Sequence, residues 1–152
     1  MTTIATDGVT VASDSMRACG QEIVDLSTQK IKVRDGHLFA FTGDFAFFDP
    51  AIEWFLGGRD IEKAPKVHKD GNWRLLVLYH DRIESYTDTQ PYGDPFPYPQ
   101  AFGSGADYAF TALHLGKSPE EAVALSSRFN VYTGGPIQVV NIADCEACQG
   151  VR

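Results

Sequence analysis

Two Asp-Gly pairs constrain this chain more than any other local feature. Asp7-Gly8 separates Thr3-Ile4-Ala5 from Val9-Thr10-Val11-Ala12, and Asp35-Gly36 separates residues 30–34 from residues 37–42. Asp-Gly between short alternating runs is a hairpin signal: both residues tolerate positive φ, and the resulting turn matches the twist of the strands. Residues 22–26 are a further extended run. The opening of the chain therefore predicts antiparallel strands, the last of them running through Gly43-Asp44 into a helix.

Asp49-Pro50 starts or continues that helix, Ile52, Phe55 and Leu56 share one face, and Gly57-Gly58 ends it. Residues 59–72 read as a polar loop, residues 73–79 as an apolar strand, and Asp81 turns it into residues 82–86. Pro91, Pro95, Pro97 and Pro99 exclude helix and central strand from residues 88–99. An ordered loop is left, which lines a cleft or an interface or connects two sheets; the connector is favoured. A helix is expected over residues 107–115, with Ala109, Ala112 and Leu113 on one face. A second begins at Ser118-Pro119-Glu120-Glu121, with Ser118 as cap and acids near the positive end, and runs to about Phe129. A strand over residues 137–142 closes the chain. Strands, helices and a last strand imply an α+β fold with two sheets packed face to face. At 152 residues one domain over residues 1–152 is expected, with neither repeat nor linker.

Bulk properties exclude several classes. A net charge of −7 argues against a nucleic-acid surface, which needs clustered Lys and Arg. No apolar run approaches the length of a membrane span, and no basic-then-apolar leader opens the chain. Cys19, Cys145 and Cys148 are an odd count, as expected of reduced thiols in a cytoplasm. Cys145-Glu146-Ala147-Cys148 lacks the second pair of a zinc site and follows the last strand, so an incidental tail is the simpler account. His37, His68, His80 and His114 lack ligand spacing and read as surface or packing residues.

The chemistry lies at the N-terminus. Thr2 follows Met1, and a residue this small favours removal of the initiator Met. An exposed Thr2 would carry a hydroxyl nucleophile and a free α-amine on adjacent carbons, and a terminal amine is a recognised base for such a hydroxyl. Its ordinary pKa of about 7.7–8.0 suits neutral pH.

Further blocks follow in order: Ser13-Asp14-Ser15, Thr28-Gln29-Lys30-Ile31, Gly43-Asp44, residues 101–109 around Gly103-Ser104-Gly105, Ser118-Pro119-Glu120-Glu121-Ala122, and Asn130-Val131-Tyr132-Thr133-Gly134-Gly135. This series resembles the proteasome β-subunit and HslV family of N-terminal-nucleophile hydrolases over residues 2–56 and about 99–142. The resemblance implies a four-layer αββα sandwich and a threonine peptidase acting on peptides or unfolded proteins. It implies a homo-oligomeric ring and leaves room for an ATPase unfoldase as partner. Thr2 would be the nucleophile, with Lys30 stabilising its alkoxide and Asp14 pairing with Lys30. Gly43 would supply an oxyanion N–H, and Ser104 would shuttle the proton of the terminal amine. Asn130 and Thr133 stand where proteasome β subunits carry Asp and Ser. Arg17, Thr28, Phe41 and Phe45 match pocket-lining positions. Ser127, Asn130 and Thr133 match carbonyls that hold a monovalent cation, a structural sodium ion; no other cofactor is implied.

Plainer readings stand beside these. Asp14 serves equally as a turn residue capping Ser15, Lys30 as a solvated strand lysine, Gly43 as a turn glycine, Ser104 as a helix cap, and Phe41 and Phe45 as core. For the whole chain, the alternatives are a non-catalytic ring-forming subunit and an amidohydrolase for small amides on the same fold. The family's helical middle is cut short between Gly57 and Asn72, where relatives contact neighbouring subunits.

Overall fold

The computed structural model describes residues 2–68 and 71–144. Cys145, Cys148 and Met1 lie outside the described residues. The Asp-Gly pairs at residues 7–8 and 35–36 are both turns. Gly8, at φ 91°, joins β1 (Thr3–Thr6) to β2 (Thr10–Ser13). Asp35 and Gly36, at φ 50° and 77°, join β5 (Ile31–Arg34) to β6 (His37–Gly43). Two consecutive positive φ values are what the tight hairpin turn requires, and Asp and Gly tolerate them. Between the hairpins lies a pair that the alternation showed only in half, β3 (Arg17–Cys19) and β4 (Glu22–Asp25). Both strands are largely exposed, so neither carries the apolar period that marks a buried face.

Strand β6 leads through a short 3-10 turn, capped by the Asp44 side chain, into α1 (Phe48–Leu56). Among its described residues, the segment expected as loop before residue 73 carries a single 3-10 turn, Ile61–Lys63. Strands β7 (Trp73–Leu78) and β8 (Ile83–Thr87) pair as expected. The proline-rich stretch is not wholly loop: Asp94–Phe96 forms β9 on the free edge of β8. Pro95 is tolerated there because an edge strand leaves one row of backbone groups unpaired. The chain then passes from β9 on one sheet to β10 (Gln100–Gly103) on the other, so the stretch is a connector. Tyr98 anchors it by donating its hydroxyl to the Tyr79 carbonyl at 2.6 Å.

Helix α2 (Ala106–His114) and α3 (Pro119–Phe129) follow, then β11 (Gln138–Asn141). At the start of α3 the Ser118 hydroxyl accepts from Glu121 N–H while the Glu121 carboxylate accepts from Ser118 N–H. This reciprocal box satisfies two donors the helix leaves unpaired.

One sheet has the order β10-β1-β2-β11 and the other β5-β6-β7-β8-β9, both antiparallel. Alternation along the strands sorts side chains into three apolar clusters. Ile4, Val11 and Phe102 meet Leu38, Leu76 and Ile83 between the sheets. Phe39, Phe41, Leu75 and Tyr86 pack against α1. Ala5, Ala12 and Ala101 pack against α2 and α3, where small residues let the helices lie close. The fold is thus α+β, with antiparallel sheets and with α1 packed on one sheet and α2 and α3 on the other. Among the described residues no helix is long and apolar enough to cross a membrane.

Candidate active site

The register of β1 with its neighbours gathers the first functional groups. Ile4 pairs with Ser13 on β2, so the chain leaves β2 with Asp14 opposite Thr3. Asp14 N–H donates to the Thr3 carbonyl at 3.3 Å, and Thr3 N–H donates to Asp14 Oδ1 at 3.0 Å. On the other side Thr3 pairs with Gly103 of β10, and Ser104 N–H donates to the Thr2 carbonyl at 2.7 Å. Gly103 has φ 99°, and a Cβ at that position would overlap the Thr2 carbonyl. Glycine is therefore required for β10 to grip the residue before β1 this closely.

Lys30, just ahead of β5, is wholly buried and donates from Nζ to Asp14 Oδ1 at 2.9 Å and to the Met16 carbonyl at 2.6 Å. Asp14 is equally buried and accepts a further bond on Oδ2 from Gly134 N–H at 3.1 Å. Lys30 is thus not the solvated strand lysine of the plainer reading. The Asp14 carboxylate accepts from Thr3, Gly134 and Lys30 while Ser15 N–H donates to the Gly134 carbonyl, so Asp14 does not cap Ser15. The Lys30 backbone is held by Gln138 of β11, whose Oε1 accepts from the N–H groups of Lys30 and Ile31, both at 3.3 Å. Burial pushes the Lys30 ammonium below its usual pKa of 10.5, opposed by the charge of Asp14 and its hydrogen bond. A buried ion pair is a poor stabilising device, because desolvation consumes much of the attraction. Its presence beside the N-terminal residues marks a candidate functional centre.

The buried Thr2 Oγ1 has no hydrogen-bond partner among the described residues. A buried hydroxyl without a partner is costly and calls for an explanation. Thr3 points the other way: its Oγ1 accepts from Gly105 N–H at 3.1 Å and shares a 2.6 Å hydrogen bond with Thr133 Oγ1.

That bond leads into the last sequence block. Asn130, the residue after α3, donates from Nδ2 to the Ser104 carbonyl at 2.9 Å. Its Oδ1 accepts from Thr133 Oγ1 at 3.2 Å and from Ser104 Oγ at 3.4 Å. Ser104 Oγ also lies 3.4 Å from the Thr2 carbonyl. The cap of α2 is Gly105, without a side-chain bond, so Ser104 is not the helix cap. Ser127 stands apart: its hydroxyl donates to the Ala124 carbonyl inside α3 at 2.7 Å. The Asn130 carbonyl accepts Thr133 N–H at 3.2 Å. The hydroxyls of Ser127 and Thr133 and the Asn130 amide are thus engaged within the protein, whereas the resemblance assigns the cation to backbone carbonyls at these positions.

Gly43 has φ 110°, and a Cβ there would come within 2.5 Å of the Asn72 carbonyl. The glycine is sterically required whatever its N–H does. Beyond it, Arg17, Thr28 and Phe45 line a depression of about 340 Å³ together with Asp25, Lys32 and Phe48. Hydrogen bonds from Thr28 and then Ser27 hold the Asp25 carboxyl down at about 2. Phe41 does not line it. It is fully buried against α1, stacked on Phe48 with centroids 4.8 Å apart. Strand alternation explains the split, since residue 41 points into the helix-side core and Phe45 lies past the strand end.

The groups that sequence reasoning missed are Thr3, Gln138, the Met16 carbonyl and the Gly134 N–H. Alternation along β1 places Thr3 on the same side as Ala5, which identifies it in retrospect; the two backbone groups carry no residue-type signal.

No family model matches the chain, and no curated protein matches it. Solved structures do. Eukaryotic HslV from Trypanosoma brucei superimposes with a TM-score of 0.68 over 93% of this chain and 98% of that one, at 17% identity. BPH from Thiobacillus denitrificans gives 0.65 over 92% and 96%, at 16% identity. The same protein in complex with epoxomicin gives 0.64. The chain has the HslV/proteasome-type N-terminal-nucleophile hydrolase fold. In an HslV-type fold of this kind, the buried Lys30–Asp14 pair stands beside the first residues of β1.

Proposed function

We propose that this chain is a single-domain threonine peptidase of the HslV/proteasome type, with Thr2 as N-terminal nucleophile once Met1 is removed. One observation carries the reading: a Thr2 hydroxyl buried without a partner among the described residues, on a backbone gripped by Ser104 and followed by Thr3, whose N–H donates to the Asp14 carboxylate that fixes a buried ammonium. The three apolar clusters support the order helices, sheet, sheet, helix of the four-layer αββα sandwich.

In the proposed mechanism the free amine of Thr2 takes the proton from Oγ1, and Oγ1 attacks the scissile carbonyl. The Lys30 ammonium stabilises the developing alkoxide, by the opposite-charge effect on a nearby acid. Gly43 N–H donates to the oxyanion of the tetrahedral intermediate, a donor fixed before the charge appears. Collapse breaks the C–N bond, and the protonated amine of Thr2 delivers its proton to the departing amine. A Thr2 ester remains. Water then attacks it with the Thr2 amine again as base, releasing the acid and restoring the hydroxyl. Ser104 holds the Thr2 carbonyl and helps shuttle the proton of the Thr2 amine, and Asn130 positions Ser104 through hydrogen bonds. None of these steps is routed through a cation.

The pH profile follows from the two nitrogens. The amine must be neutral, so kcat/KM rises through about pH 7.7–8.0. Lys30 must be charged, and its depressed pKa puts the falling limb below the usual lysine value of 10.5. The stability contribution has the matching sign. Between the depressed folded value and 10.5 the unfolded chain binds more protons, so this group's contribution to stability rises with pH there. Stopped assays across the alkaline range, with unfolding followed in parallel, check both. A plateau in kcat/KM persisting through pH 10.5 would argue against a required Lys30 ammonium.

An open cleft on a lone peptidase domain would expose cellular proteins to attack. We propose a homo-oligomeric ring in the cytoplasm, closed by head-to-tail contacts and weakened by the short segment between α1 and β7. Light scattering at micromolar concentration is expected to find a closed oligomer in the fractions that hydrolyse unfolded protein. Monomer alone would remove the compartment and favour the small-amide hydrolase.

A further inference from the structure

The face of the five-stranded sheet that meets the four-stranded sheet changes character along its length. It runs Leu38, Ala40, Thr42 on β6; Leu78, Leu76, Arg74 on β7; and Ile83, Ser85, Thr87 on β8. The apolar members belong to the inter-sheet core. Cross-strand register sets Thr42, Arg74 and Thr87 side by side at the other end. There the sheets open on a cavity of about 380 Å³, whose wall also includes Asp88, Gln90 and Gly103. An apolar strand face that ends in an arginine calls for a reason.

Arg74 is half-buried, with its guanidinium carbon 5.5 Å from the ring centroid of Phe102. That contact holds the cation at the Gly103 end of the cavity. Among the described residues no carboxylate lies within ion-pair distance of it and no group hydrogen-bonds its guanidinium. Asp88 lines the same cavity without reaching it. A planar fork of N–H donors partly out of water, with no acceptor among the described residues, suits a carboxylate.

The cavity adjoins the nucleophile. Gly103 at its rim precedes Ser104, whose N–H holds the Thr2 carbonyl. Thr42 precedes Gly43, while Phe45, just past Gly43, lines the separate depression with Arg17 and Thr28. No residue lines both. A peptide crossing the nucleophile leaves its acyl part on one side and its departing amine on the other. Resting on the peptidase reading above, we infer that this second cavity receives the leaving-group side and that Arg74 selects fragments bearing a carboxylate. Asp88 and Gln90 face the same fragment with acceptors for its N–H groups, and the Asp88 charge turns the carboxylate toward Arg74. The carboxylate is either an Asp or Glu side chain after the scissile bond or the free C-terminus of a short departing fragment.

The test uses protein beginning at Thr2 and peptides matched in all but the departing side. Glu is compared with Gln after the scissile bond, each with a free or an amidated C-terminus. In the wild type kcat/KM is expected to favour a carboxylate-bearing peptide by at least about tenfold, mostly through KM. The arm that shows the preference identifies the source of the carboxylate. Arg74→Met is expected to erase the preference. Arg74→Lys, which keeps the charge and the packing, is expected to retain part of it. Equal rates on charged and neutral peptides in the wild type, or a preference unchanged in both variants, would overturn the assignment. If the wild type cleaves none of the peptides, the peptidase reading fails by itself, and the cavity is then judged by binding. Nuclear magnetic resonance titration of glutamyl dipeptide and its amide into wild type and Arg74→Lys then decides. Carboxylate-dependent binding weakened by Arg74→Lys supports the site, and absence of binding at millimolar concentration overturns it.

Discussion

Thr2→Ala is expected to abolish peptide hydrolysis, by on the order of 10⁴–10⁶-fold in kcat, without lowering stability measurably. The second half of that expectation follows from the geometry. Thr2 Oγ1 is buried and bonded to nothing among the described residues, so its removal breaks no hydrogen bond and ends a desolvation cost. The backbone bond between Ser104 N–H and the Thr2 carbonyl survives the substitution. An inactive variant with an unshifted melting transition would separate chemistry from folding. Retained hydrolysis would point to another nucleophile.

Lys30→Ala has the larger structural consequence. It leaves the Asp14 carboxylate buried with only the N–H groups of Thr3 and Gly134, and removal of one partner of a buried pair typically costs about 3–5 kcal/mol. Activity is expected to vanish as well. Replacing both members, Asp14→Asn with Lys30→Met, removes the two charges together and is expected to recover most of the stability while staying inactive. Denaturant titration of the single and double variants measures this non-additivity. A Lys30→Ala protein as stable as the wild type would mean that Asp14 does not depend on its partner.

Legibility in the sequence followed how local each cause is. The hairpins at Gly8 and Asp35-Gly36 and the cap at Ser118 are set by residues within a few positions of one another, and they stand where the chain predicts them. Strand β9 was hidden because a proline at an edge and one in a loop look alike without knowledge of which strand has a free side. Strand β3 was hidden because two exposed faces leave no period. The site divides in the same way. Thr2, Asp14 and Lys30 belong to blocks whose order resembles a known family, and the structure brings Asp14 and Lys30 into contact, with Asp14 bonded to Thr3, the residue after Thr2. Gln138 and Gly134 act from more than a hundred residues away, through one amide and one backbone N–H, and nothing local announces them. Phe41 went into the core because one step along a strand reverses the face.

The central claim is that the nucleophile and its base are one residue, which requires a free amine on Thr2. Tandem mass spectrometry of the N-terminal peptide, on protein from its native host purified by its own peptide-hydrolysing activity, tests this most directly. The account predicts a peptide beginning at Thr2 with an unmodified α-amine. A peptide beginning at Met1, or a blocked Thr2 amine, in fully active protein would contradict it.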